Sequence, residues 1–116
     1  MQPFKALSPL AVIDIISITR DAQTYSNIPL SLVNDHVIRV SIMTEPFYWH
    51  LHPNSDETFL TIEGVVCIDL EDKTVELSPG QIFTIPANVK HRTRPLGSRS
   101  VNITFERADM QTTKLH

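Results

Sequence analysis

The chain has 116 residues, 41% of them hydrophobic and 20% charged, enough for one domain with a sizeable core. Thirteen acids against ten bases give a formal charge of -3, which argues against a general nucleic-acid binder. A single cysteine, Cys67, excludes an intramolecular disulfide framework and fits a reducing compartment.

No linker, internal repeat or low-complexity tract divides the chain, so residues 1–116 read as a single domain. The apolar stretch 10–18 is short, is interrupted by Asp14 and lacks a basic start, unlike a signal peptide. No run approaches the roughly 20 apolar residues that span a bilayer, so no membrane partner and a cytoplasmic location are expected. Residues 14–23 read as a short helix or an extra strand. The first 35 residues as a whole either add a strand to a partner's sheet or cap one end of the fold.

From residue 37 the pattern has period two. Residues 37–43 are rich in β-branched side chains, as a strand should be. Residues 47–52 read as another, stopped by the turn chemistry of Pro53, Asn54, Ser55 and Asp56. Residues 57–62 follow, then a turn at Glu63-Gly64, then 65–70, closed by Glu71, Asp72 and Lys73. Val75 and Leu77 flank a short strand ended by Ser78-Pro79-Gly80. Residues 82–85 end at Pro86, 101–105 form the last strand, and the polar tail after Asp109 reads as frayed. Several short strands punctuated by turns specify an all-β sandwich or barrel.

The chemistry concentrates in residues 49–57. On a strand, positions i and i+2 share a face, so His50 and His52 present two imidazoles side by side. The turn at residues 53–56 reverses the chain, and Glu57 begins an antiparallel neighbour that lies opposite the pair. Imidazole plus carboxylate suits Fe, Mn, Ni, Zn or Cu. His91, after the turn-forming stretch 86–90, is available as a fourth ligand.

These residues resemble two motifs of the cupin superfamily. His50, His52, Glu57 and Gly64 match the first, G-x5-H-x-H-x3,4-E-x6-G, and Gly80, Pro86 and His91 match the second, G-x5-P-x-G-x2-H-x3-N. The resemblance covers about residues 34–106. Residues 47–64 and 77–91 look like the small single-domain cupins often labelled mannose-6-phosphate-isomerase-like, with an RmlC-like jelly roll. The chain departs from the pattern at Thr44, Asn88 and Pro95, none of them a ligand position in the family. Asn88 replaces a glycine, and Asn tolerates a positive φ better than most residues.

The resemblance implies a double-stranded β-helix (jelly-roll) barrel with a short N-terminal extension and a metal in its mouth. Three His and one Glu leave about two positions open on an octahedral ion, a catalytic type of site. Dioxygenase, decarboxylase, isomerase and cyclase chemistry on a small oxygen-rich or anionic metabolite all remain open. So does a binding or sensing module without turnover, or a structural dimeric barrel with a vestigial site.

Other residues are read by parity. Tyr48 shares the parity of His50 and either lines the cavity, where its hydroxyl is the candidate catalytic group, or packs in the core. Phe59 and Thr61 share the parity of Glu57 and are candidate pocket walls. Arg39, Ser41 and Met43 form one face of an earlier strand; if it is inward, Arg39 is an anion binder, and otherwise a surface charge. Phe47 and Trp49 have the opposite parity to the histidines and offer an outward apolar patch for a homodimer. Lys90, Arg92, Arg94 and Arg99 read as a solvated face, paired with acids of residues 69–76. Cys67 reads as a small buried hydrophobe, and His36 and His116 have no assigned role.

Overall fold

A computed structural model describes residues 7 and 9–115; His116 and the start of the N-terminal extension lie outside the described residues. The order of elements is α1 (Ile15–Thr19), β1 (Ser26–Val33), β2 (His36–Met43), β3 (His50–Leu51), β4 (Glu57–Glu63), β5 (Val66–Asp69), β6 (Thr74–Leu77), β7 (Ile82–Ile85), β8 (Arg92–Pro95), β9 (Ser100–Arg107) and β10 (Thr113–Lys114). A five-stranded sheet runs β1-β2-β9-β4-β7, a three-stranded sheet runs β6-β5-β8, and β3 pairs with β10. All pairings are antiparallel. The all-β, double-stranded β-helix expectation therefore holds. No helix among the described residues is long and apolar enough to cross a membrane.

Alternation splits the five-stranded sheet into two faces. Ile38, Val40 and Ile42 of β2 and Val101, Ile103 and Phe105 of β9 point outward into one apolar cluster with Leu30, Leu60 and Ile62. Ile13, Ile15 and Ala22 of the N-terminal segment pack on this cluster. The helix within residues 14–23 is thus a short cover for the sheet, started by the Asp14 carboxylate accepting from the Ser17 amide (3.2 Å). Arg99 holds the segment's far end, donating to the carbonyls of Thr19 and Ala22 and pairing with Glu63. On the inner face, Phe59 meets Val66, Ile68, Leu77 and Ile85 in a second core. Cys67 is buried and free, as expected.

Three expectations need correction. Residues 26–33 add an edge strand to the chain's own sheet, and Pro29, which lacks an N–H, sits at its register shift. Residues 47–52 contribute only the two-residue strand β3, because 47–49 run outside any ladder. The tail after Asp109 is not frayed: β10 pairs with β3, and the Leu115 amide donates to the carbonyl of Trp49 (2.9 Å). One strand has no counterpart in the sequence reading: residues 92–95, basic and ending in proline, form β8 against β5, where Asp69 accepts from both Arg92 and Arg94.

Turn chemistry fits the backbone. Asn88 adopts φ 68° where a glycine is the family's usual residue. Gly64 has φ 71°, and a Cβ there would lie 2.5 Å from the carbonyl oxygen of Arg99. That turn accepts no side chain.

Candidate metal centre

His50 and His52 lie at i and i+2 around β3, and both are buried. His91 reaches the same place through a backbone bridge: the His50 amide donates to the His91 carbonyl (3.0 Å), and the His91 amide donates back (2.9 Å). Glu57 opens β4, but β4 pairs with β7 and β9 and not with β3. The turn at residues 53–56 therefore crosses from one sheet to the other. Its polar side chains fix the crossing. Asn54 donates to the Asp109 carbonyl and accepts from the Gln111 amide, and Ser55 accepts from the Arg107 amide. Asp56 accepts from the Ala87 amide. Glu57 thus faces the histidines across the interior.

One ligand atom from each of His50, His52, Glu57 and His91 lies within 4.8 Å of the others, and all four residues are buried. Ligand atoms this close to one another would hold a single divalent ion among them. Each imidazole has its Nδ1 on a backbone carbonyl: His50 on Tyr48 (2.8 Å), His91 on Val89 (2.9 Å) and His52 on Gln111 (3.0 Å). A carbonyl only accepts, so the proton belongs on Nδ1 and the Nε2 lone pair faces inward. The Thr112 hydroxyl oxygen lies 3.1 Å from the same His52 nitrogen.

The interior is then crowded with acceptors, and a proton held between His52 and Glu57 is the donor they share. Glu57 Oε1 lies 3.2 Å from His52 Nε2 and 3.5 Å from His91 Nε2. Both nitrogens are buried and otherwise without a hydrogen-bond partner. Such a cluster calls for a cation at its centre. Burial holds His50 down, to about 4, against the bond to the Tyr48 carbonyl. Burial also opposes a charge on His52, but its contact with Glu57 outweighs this and raises it. Burial opposes the charge on Glu57 as well, yet its contacts with His52 and His91 hold it at about 2. The donor set, two buried orphan nitrogens included, fits a divalent ion.

A cavity of about 300 Å³ opens beside this cluster. Arg39, Ser41, Met43, Tyr48 and Phe59 are among its lining residues. Thr61 is buried but lies beyond the lining residues. Phe47 departs from its expected parity. It lines the cavity, stacks on Tyr48 with centroids 4.1 Å apart and meets the His50 ring edge-on, because residues 47–49 follow no regular pleat. Trp49 packs under the Arg92 guanidinium, 5.5 Å from its centroid, so the two aromatics do not form one outward patch. Arg92 and Arg94 share Asp69, and Lys90 lies 3.9 Å from Glu71, so three of the four bases face acids of residues 69–76.

Sequence reasoning missed Glu106, a carboxylate on the cavity wall that is 1% exposed. Arg39 Nε donates to its Oε2 (3.0 Å), while burial and the nearby Glu57 charge push its pKa up to about 7. Its signal was available: Val101, Ile103 and Phe105 are apolar, so Asn102, Thr104 and Glu106 belong to the opposite, inward face. Gln111 and Thr112 carried no comparable signal.

The chain matches the family model described as Cupin domain over residues 40–105. It is 38% identical over 91 residues to "Uncharacterized protein YdbB" of Bacillus subtilis, covering 78% of this chain and 80% of that one. A cupin-2 domain containing protein from Shewanella frigidimarina has a crystal structure similar with a TM-score of 0.75 at 25% identity, over 83% of this chain and 94% of that one. The DMSP lyase DddQ from Ruegeria pomeroyi shares the fold alone, with a TM-score of 0.67 at 17% identity, over 78% of this chain and 51% of that one.

Proposed function

Because the chain belongs to the cupin family, we propose that it is a metal-dependent enzyme acting on a small oxygen-rich or anionic metabolite. His50, His52, Glu57 and His91 would hold one divalent ion, of Fe, Mn, Ni, Zn or Cu. The observation that carries this reading is the cluster of four buried acceptors at the end of a 300 Å³ cavity. A metal buried on all sides would be structural; one facing a cavity with open coordination positions serves as a Lewis acid for a bound substrate.

The chain's own groups do the rest. The three backbone carbonyls fix each imidazole's tautomer and aim. Tyr25, Phe47 and Tyr48 form a stacked aromatic rim that narrows the mouth and restricts water. The Tyr48 hydroxyl is the candidate proton donor at that rim.

Metal analysis of protein purified without added metal tests the site. About one equivalent is expected, and less than about a tenth, with no gain on adding Fe, Mn, Ni or Zn, overturns the reading. The double variant His50→Ala/His52→Ala should lose the metal and stay folded. Oxygen uptake and product analysis with diketones, catechols and oxalate then separate an enzyme from a module that only binds.

A further inference from the structure

The inner face of β9 carries a feature that metal ligation does not use. Asn102, Thr104 and Glu106 all line the cavity and are 1%, 3% and 1% exposed. Asn102 Oδ1 and Nδ2, Thr104 Oγ1 and Glu106 Oε1 are buried without a hydrogen-bond partner. Leaving such an atom unsatisfied is destabilising, and an apolar side chain of similar shape removes the cost. Three consecutive inward positions on one strand keep polar atoms in excess of what the fold pairs, the Arg39 contact to Glu106 Oε2 aside. The same strand is apolar on its other face, at Val101, Ile103 and Phe105. Opposite them on β2, Ser41 pairs in register with Asn102, and Arg39 with Thr104.

We propose that this stripe, with Arg39 beside it, is the recognition wall for a small carboxylate bearing several hydroxyl groups, whose carboxylate end lies at the metal centre. This rests on the metal reading above. The wall offers donor and acceptor atoms within one short row: an amide of each polarity, a hydroxyl and a carboxyl oxygen. Hydroxyl groups, which donate and accept at once, are the ligand groups that match such a row. A divalent ion with Glu57 as its one charged ligand leaves a net positive centre, which selects an anionic end. Arg39 Nε donates to Glu106 Oε2 (3.0 Å), so the Arg39 charge already has a partner in the wall. The cavity of about 300 Å³ limits the ligand to a small molecule.

The test uses the zinc-loaded full chain, with gluconate and hexanoate as probes in calorimetric titration, and the variants Thr104→Val and Asn102→Leu. Gluconate should bind at least about tenfold more tightly than hexanoate, and each variant should weaken gluconate about tenfold while leaving hexanoate within twofold. The metal-free variants should melt at or above the wild-type temperature, since each replaces an unsatisfied buried polar group. Equal binding of the two probes overturns the proposal, as do variants that weaken both alike. A clear fall in melting temperature also overturns it, because the polar atoms would then serve the fold. Failure of the wild type to retain zinc overturns the metal reading and this inference together; zinc retained without a hydroxyl preference overturns this inference alone.

Discussion

His52 and His50 sit two residues apart, yet their surroundings push them in opposite directions. Contact with Glu57 outweighs burial at His52 and raises it above the usual value, while burial takes His50 down to about 4. In the metal-free protein the charged His52 adds stability that is complete below its unfolded value of about 6.5. That stability is lost as the pH rises through the higher folded value. A metal ion displaces the same proton, so its affinity should climb with pH across that window, by up to about tenfold per unit. Below about pH 4 His50 adds a second proton and the slope should steepen. Zinc affinity measured by competition between about pH 5 and 8 checks this; a flat profile contradicts it. Glu57, held at about 2, adds no slope in this range.

Among the elements, those with long-range partners matter most to the site. The segment 109–115 supplies the carbonyl that orients His52, the hydroxyl beside it and the strand that pairs with β3. A chain ending at residue 110 should bind zinc about 10–100-fold more weakly and keep its β-sheet circular dichroism. Unchanged affinity would mean that the tail is only a cover. At the other end, Arg99→Ala removes the bonds to Thr19 and Ala22. Amide exchange in residues 14–22 should then speed up by at least about tenfold, with little change in β2 or β9. The strands β2, β4, β6 and β9 are legible in the sequence through apolar–polar alternation, and β5 and β7 as short apolar runs between clear turn signals. β1, β8 and β10 are not. Pro29 interrupts the first, arginines dominate the second, and a polar pair forms the third, so their pairing comes from partners distant in sequence. The ligands were legible through spacing, whereas the crossing at residues 53–56 was not, since a tight turn looks the same whether it returns to its own sheet or enters another.

For the molecule as a whole, the site joins two layers. His50, His52 and His91 come from β3 and the segment leading into β8, while Glu57 begins a strand of the five-stranded sheet. A bound ion therefore ties the sheets together. At a free metal concentration of a thousand times Kd the gain is about 4 kcal/mol, a rise in Tm on the order of 10 °C. The attachment of His52 to Gln111, 59 residues later, also dates the site within the life of the chain. Every ligand is synthesised before the carbonyl that aims one of them. A nascent chain therefore holds the four donors well before it holds their geometry, and metal capture is expected to follow folding instead of nucleating it. Metal should then slow unfolding and leave the refolding rate within about twofold, which stopped-flow measurements with and without zinc will read directly. On the metal reading the ion would act as a lock set after closure, so a cell short of metal would still make the folded protein, ready to be charged when the ion returns.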